Sequence, residues 1–405
     1  MDDGTIQQPK ETSSYRLALD LYLAFIFLVL LRFGIRFARE NDNWKIADWL
    51  INYHAGFVRR GLTGEIILAI AHTLHVPPPW LVLLAQMLCY LVLLAVFRKV
   101  ILDSSKAWWV IALVLSPATL SFPLMNIRGG FRKDILFFAS LAILIFLLVY
   151  RKISDVWISA YLCIALPACI LSSESVAFYL PYYFAALLIS LQSWRRSIRI
   201  FLLPAILACA ATFVAMKYIG NLAIAQGVCN AAGYKWDPAN IHSPCSGSIL
   251  YLTYTPQIAH SGVLAVLATT PMYRLYPLLA VLAFLPILIG MAHLRRFQPL
   301  RSSLYVLAAT VFVSACLTSV LFYYATDWGR WIYLHTMATA LLLLVIERRK
   351  QSNPNMAEPL PATNRGKSVL AWILIAAYAL CWDLPHMPGI HSVPIGLIRL
   401  IRGGG

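Results

Sequence analysis

Charge is what this chain has least of. Only 12% of its 405 residues are Asp, Glu, Lys or Arg, about half of the ~25% of an ordinary soluble domain. With 60% hydrophobic residues and a mean hydropathy of +0.72, a water-soluble globule is excluded, because too little polar surface exists to cover it. Acidic residues are scarcest, 17 against 33 Lys and Arg, which leaves a net charge of +16. No basic helix interleaved with stacking aromatics lies outside the apolar runs, so nucleic acid is not the expected partner. Also missing is the apolar/polar alternation of a lipid-facing barrel strand. Common chemical templates are absent too: no Walker A, GxGxxG, HExxH, CxxC or GxSxG occurs. The nine histidines are scattered without metal-ligand spacing. The sequence therefore requires no cofactor, and no metal site is assigned, although its carboxylates leave a divalent metal open. The N-terminal stretch lacks a small-residue cleavage site, so the first span is expected to stay as a signal anchor.

What is present is a series of long apolar runs. About 20 such residues cross the hydrocarbon as a helix. The expected fold is an all-α, polytopic integral membrane helix bundle of about eleven spans (about ten to twelve). They are placed at 17–38, 79–97, 107–124, 135–150, 154–172, 177–192, 199–218, 275–294, 303–323, 331–347 and 368–384. The short run 61–75 precedes Val76-Pro77-Pro78-Pro79 and reads as interfacial or re-entrant. The chain divides into a cytoplasmic N-terminus 1–16, a bundle 17–347, a cytoplasmic linker 348–367, and a last span and tail 368–405.

Lys and Arg gather in one set of short loops: Arg98/Lys99/Lys106, Arg151/Lys152, Arg195/Arg196/Arg199, Arg295/Arg296/Arg301 and Arg348–Lys350. These are expected in the cytoplasm, with anionic lipid as their partner. The outer set is then 39–78, 125–134, 172–176, 219–274, 324–330 and the C-terminal tail. Arg39, Lys45, Arg59 and Arg60 in the first outer loop run against this assignment. Counting 61–75 as a full span would move that loop inside; an anionic substrate would explain the arginines where they are. Cys229 and Cys245 sit in a polar loop and suit a disulfide in an oxidising compartment.

The candidate chemistry lies in the outer loops. RENDNWKIADWLINYHAGFVRRGLTGE holds Asp42, Asp48, His54, Arg59 and Arg60. An arginine pair offers forked donors for phosphate or carboxylate, while belt aromatics with headgroup charges are the plainer reading. NIRGGFRKDI adds Arg128, Arg132, Lys133 and Asp134, with Gly129-Gly130 allowing close backbone approach to a ligand. Glu174 reads either as a first-turn acid favoured by the helix dipole or as a buried acid of the site. Asp327 and Arg330 are three apart and can pair on one helical face. The loop 219–274 carries Tyr234, Trp236, Tyr251 and Tyr254, whose faces suit a sugar ring or simply fold a cap.

This layout resembles the GT-C class of polyprenyl-linked glycosyltransferases, which have a large acidic first outer loop and a second large loop after the seventh span. GFVRRGL, RGGFRKD and TDWGRW also look like segments of Wzy-like bacterial surface-polysaccharide polymerases. The resemblance covers most of the chain, but the first outer loop carries no adjacent DD, DE or ED pair. It implies a polyprenyl (pyro)phosphate-linked sugar donor, a glycan acceptor, polysaccharide-assembly partners and a bacterial inner membrane with periplasmic site loops. It further implies Asp48, then Asp42, as general base, with Arg59, Arg60, Arg128, Arg132 and Lys133 on the phosphate. Asp134, Glu174, Asp327, Arg330 and His54 are secondary candidates. Two alternatives stand beside it, a Wzy-type repeat-unit polymerase and a transporter or flippase of an anionic lipid-linked substrate. The second would need charged or broken helices at the bilayer midplane.

Overall fold

The computed structural model of the chain describes residues 13–105, 107–353 and 365–387. The expected N-terminus up to 12, Lys106, the linker residues 354–364 and the tail from 388 lie outside these. Among the described residues the chain is helical, with no strand. In order, the α-helices are α1 Ser13–Glu40, α2 Leu62–Leu74, α3 Pro78–Leu102, α4 Trp108–Leu115, α5 Phe122–Met125, α6 Ile127–Gly130, α7 Ile135–Phe146 and α8 Asp155–Ser172. They continue as α9 Leu180–Leu191, α10 Trp194–Lys217, α11 Leu222–Ala231, α12 Pro256–Thr269, α13 Tyr276–Leu294, α14 Arg301–Tyr324, α15 Trp328–Gln351 and α16 Arg365–Leu380. Among the described residues eight helical segments are long and apolar enough to cross a membrane. The chain is thus an all-α polytopic membrane bundle.

α1 and α3 run antiparallel. Early in α1, Asp20 pairs with Arg98 late in α3 at 2.5 Å, while Gly34 faces Leu83 and Met87. The end of α1 and the start of α3 therefore lie at the same end of the bundle, and α2 between them does not carry the chain across. Gly64 sets how close α2 comes: a Cβ there would stand 2.0 Å from the Ile51 carbonyl oxygen. α15 is the centre. Its membrane-crossing stretch is entirely buried, as expected for a helix that is apolar on nearly all sides. α9, α13 and α14 pack around it.

One expected span is corrected. The run 107–124 is no continuous helix: α4 stops at Leu115, after about 12 Å of rise. Pro117 removes a backbone donor and disfavours helix at the residue before it. The freed backbone groups are taken up by side chains. Tyr22 donates to the Val114 carbonyl at 3.2 Å, Thr119 to Leu113 at 2.5 Å, and Thr336 to Ala118 at 2.6 Å. Irregular backbone survives at membrane depth only when buried in protein this way. A second correction is that α15 runs on to Gln351, so the linker expected from 348 begins later.

The two ends of the bundle differ. At one, short basic connections make local pairs: Arg348 with Asp103 at 3.1 Å, Arg196 with Asp155 at 2.6 Å, and Lys350 with His293 at 3.1 Å. At the other, the loops 41–61 and 219–254 fold together. Ala47, Ile51 and Val58 share a small core with Val228, Ile249 and Leu252. Asn43 Nδ2 donates to the Ile241 carbonyl and the Ser246 hydroxyl, and a disulfide joins Cys229 to Cys245.

Candidate functional site

Under that cap the starts of three helical segments converge, each carrying a carboxylate. Asp134 stands immediately before α7, Asp327 before α15, and Glu174 opens the two-turn 3-10 helix Glu174–Tyr179 that leads into α9. Acids at helix starts are favoured by the exposed N–H groups and the helix dipole. A fourth, Asp48, lies in the short 3-10 turn Ala47–Leu50 and is buried. Buried carboxylates need partners, and the loops supply arginine and lysine.

Glu174 is held by Arg60 through Nε at 2.7 and 2.9 Å and through a terminal nitrogen at 2.5 Å, a forked charge-assisted contact. Arg59 approaches the same acid at 3.6 Å. Arg60 sits at φ +68°, in the left-handed region that non-glycine residues seldom adopt. Arg330 bridges two acids, Asp134 at 3.1 Å and Asp327 at 3.0 Å, and lies 4.1 Å from the centre of the Trp331 ring. Lys133 Nζ donates to the Arg60 carbonyl at 2.6 Å. Arg132 is the loosest cation: its Nε stands 3.7 Å from Asp48, with no hydrogen bond there, and its guanidinium lies over the Trp44 ring. Asp48 Oδ1 likewise has no hydrogen-bond partner.

Asp48, Arg60, Arg132, Lys133, Asp134, Ser173, Ser175 and Arg330 line a small cavity. Its accessible centre is about 10 Å³, room for roughly one water molecule. Above it, Tyr251 stacks on Tyr254 at 4.4 Å and meets Trp44 edge-on at 5.0 Å. A chain of contacts thus runs from these rings through Arg132 to Asp48.

The local field separates the two inner acids. Burial pushes both carboxyls up. At Asp48 the charges of Arg132, Lys133, Arg60 and Arg330 outweigh burial, so its carboxyl is held below the ordinary range. At Asp134 burial prevails over Arg330 and Arg132, helped by the like charges of Asp48 and Asp327, and the carboxyl is raised. Asp327 is drawn down to about 2: Arg330, His386 and Arg132 together overcome its burial. Lys133 is lowered to about 8, first by burial and then by Arg60 and Arg132, against the pull of Asp48 and Glu174. The cluster thus sets carboxylates whose ionised form is favoured, Asp48, Asp327 and Glu174, beside one, Asp134, whose protonated form is favoured, the kind of split that assigns acid and base roles in known sites.

Not all the expected residues arrive. Asp42 does not line the cavity. Its Oδ1 accepts the N–H groups of Trp44 and Lys45, and its Oδ2 the Lys45 ammonium at 2.5 Å, so it shapes the turn. His54 is exposed on the cap, and Arg128 is exposed on α6, both outside the cavity lining. Arg59 serves Glu174 from outside the cavity. Two residues went unforeseen. His386, from the segment after α16, places Nε2 3.5 Å from Asp327 and donates its backbone N–H to Asn126 at 2.9 Å. Gln86 of α3 donates to the carbonyls of Lys45 and Phe131, tying the first loop to the second. The only available hints were a polar residue inside an apolar run for Gln86, and for His386 a Pro-His dipeptide beyond the last one.

Among the described residues no three His, Cys, Asp or Glu side chains are placed to hold a metal ion. Comparison of the chain with family models, with curated proteins and with solved structures finds no match.

Proposed function

We propose that this chain is a membrane glycosyltransferase that takes its sugar from a polyprenyl phosphate or pyrophosphate carrier, in the assembly of a surface glycan. The observation that carries the reading is the buried, unpaired Asp48 Oδ1 ringed by Arg132, Lys133, Arg60 and Arg330 at one end of an apolar bundle. A transferred sugar leaves behind a phosphate, and fixed cations stabilise that developing charge. Arg132 is the natural ligand of the phosphate, because its contact with Asp48 is the longest in the cluster and an anion replaces it at least cost. Asp48, whose carboxylate form the surrounding cations favour, orients the acceptor hydroxyl and takes its proton, with Asp134 a secondary candidate. The rings of Trp44, Tyr251 and Tyr254 would receive the sugar's C–H face. A transporter is less well supported, because the ionisable groups of this site sit at one end rather than at the midplane. By the positive-inside tendency, the plain basic end belongs in the cytoplasm and the site in the periplasm of a bacterial inner membrane.

The test uses the full chain in lipid nanodiscs. A long-chain polyprenyl phosphate should bind in preference to the uncharged polyprenol, and R132Q/K133Q should lose that preference. Asp48→Asn should keep binding while abolishing sugar transfer from the lipid-linked pool of the source membranes. Equal binding of phosphate and alcohol by the unaltered chain would sink the reading.

A further inference from the structure

The lipid-facing side of α1 changes character along its length. Leu17, Leu21, Phe25 and Leu28 are exposed and apolar, as a surface toward acyl chains should be. The same face then carries Arg32, Arg36 and Arg39, exposed at the helical spacing that lines them up. Leu28, Leu31, Arg32, Ile35, Arg36, Arg39 and Glu40 line one groove there. This is not the buried site seen from outside. The other side of α1 is the one that packs inward, with Gly34 against Leu83 and Phe37 against Phe131.

Arg36 has a partner, Glu40 at 2.8 Å. Arg32 and Arg39 meet no acidic side chain among the described residues. Arg32 lies eight residues before the helix end, about 12 Å along the axis, just past the exposed apolar run Leu17 to Leu28. A charge on a membrane-facing helix surface is favoured by a counter-ion, and no acidic side chain among the described residues supplies one to Arg32 or Arg39. These arginines also sit at the end opposite the short basic loops, where topology does not call for them.

We infer that the last three turns of α1 form a docking groove for an anionic phospholipid, with Arg32 and Arg39 on its phosphate headgroup and Leu28, Leu31 and Ile35 along its chain. A lipid fits better than free phosphate, because the groove sets apolar Leu28, Leu31 and Ile35 beside its arginines and continues the exposed apolar face of α1. The assignment is independent of the transferase reading, since it uses neither the cavity nor its residues.

Native mass spectrometry of the delipidated full chain tests it, with phosphatidylglycerol and phosphatidylcholine titrated separately. The unaltered chain should retain phosphatidylglycerol preferentially. R32Q/R39Q should weaken that lipid roughly 30-fold, ~1 kcal/mol per arginine near a membrane surface. Thermal unfolding should be unchanged, and R32K/R39K should bind nearly as well as the unaltered chain. If the double variant does not purify, R32Q and R39Q alone should each cost roughly fivefold on the same scale. No preference for phosphatidylglycerol, an unchanged affinity in the glutamine variants, or full displacement by inorganic phosphate would each overturn the docking groove.

Discussion

Lys133 is the group whose protonation the site feels first. Burial among Arg60 and Arg132 brings it to about 8, so its ammonium is present below that pH and lost above it, well before an ordinary lysine. If it helps hold a lipid phosphate, affinity should fall as pH rises from 7 to 9 in the unaltered chain. Lys133→Arg should flatten that limb, because arginine keeps its charge throughout; a limb that persists in the variant places the titrating group elsewhere. Glu174 offers a stability test. Its removal leaves Arg60 and Arg59 without their shared acid, so Glu174→Gln should cost ~3 kcal/mol in unfolding experiments in detergent. An unfolding midpoint indistinguishable from that of the unaltered chain would mean that solvent or lipid replaces the acid. These roles were only half legible. That Glu174 suits a helix start follows from local rules, but its partner is 114 residues away in sequence. Asp42 looked as available as Asp48, and only the folded turn shows that both its oxygens are used.

Though not to their ends, since the basic residues Arg348, Arg349 and Lys350 marked a loop where α15 continues to Gln351, helices whose sequence is apolar on all sides were readable as helices. The segment 107–124 was not, since its Ser116-Pro117 is a single polar interruption whose effect depends on neighbours. Here Tyr22, Thr336 and Tyr378 accept the break, Tyr378 through a 2.9 Å contact between its hydroxyl and that of Ser116. Least legible was the segment after α16, which returns to the site. Tyr276 donates to the Pro385 carbonyl at 2.8 Å, and a Cβ on Gly329 would stand 1.8 Å from that same oxygen. No side chain fits at 329 while the segment stays in place. Gly329→Ala should therefore dislodge 381–387 and separate His386 from Asp327, at ~1–3 kcal/mol for overpacking. Hydrogen exchange at 381–387 should speed up in this variant while the core of α15 stays protected; equal protection of the segment would show that the backbone yields instead.

At the scale of the whole molecule, the sidedness question raised by the first loop becomes a question about rigid ends. The loop 41–61, the turn 126–134, Glu174, Asp327 and the cap all meet in one cluster, so they share a side of the membrane whichever side it is. The sequence could not show this, because the positive charges of that cluster are the very residues that confuse a charge-counting rule. In the fold Arg59 and Arg60 meet Glu174, Arg132 meets Asp48 and Arg330 meets Asp134 and Asp327, while Lys133 meets the Arg60 carbonyl and the exposed arginines of α1 lie outside the cluster. Under the proposed orientation the short basic connections at the far end lie in the cytoplasm. The disulfide between Cys229 and Cys245 agrees, since such bonds persist in oxidising compartments. Single cysteines at exposed positions decide it. His54→Cys and Asp237→Cys on the cap should react together with an impermeant thiol reagent in intact cells. Lys152→Cys and Arg195→Cys at the other end should react only after the membrane is opened. The reverse pattern would invert the protein with its site intact; labelling of 54 without 237 would break the cap in two and dismantle the site itself.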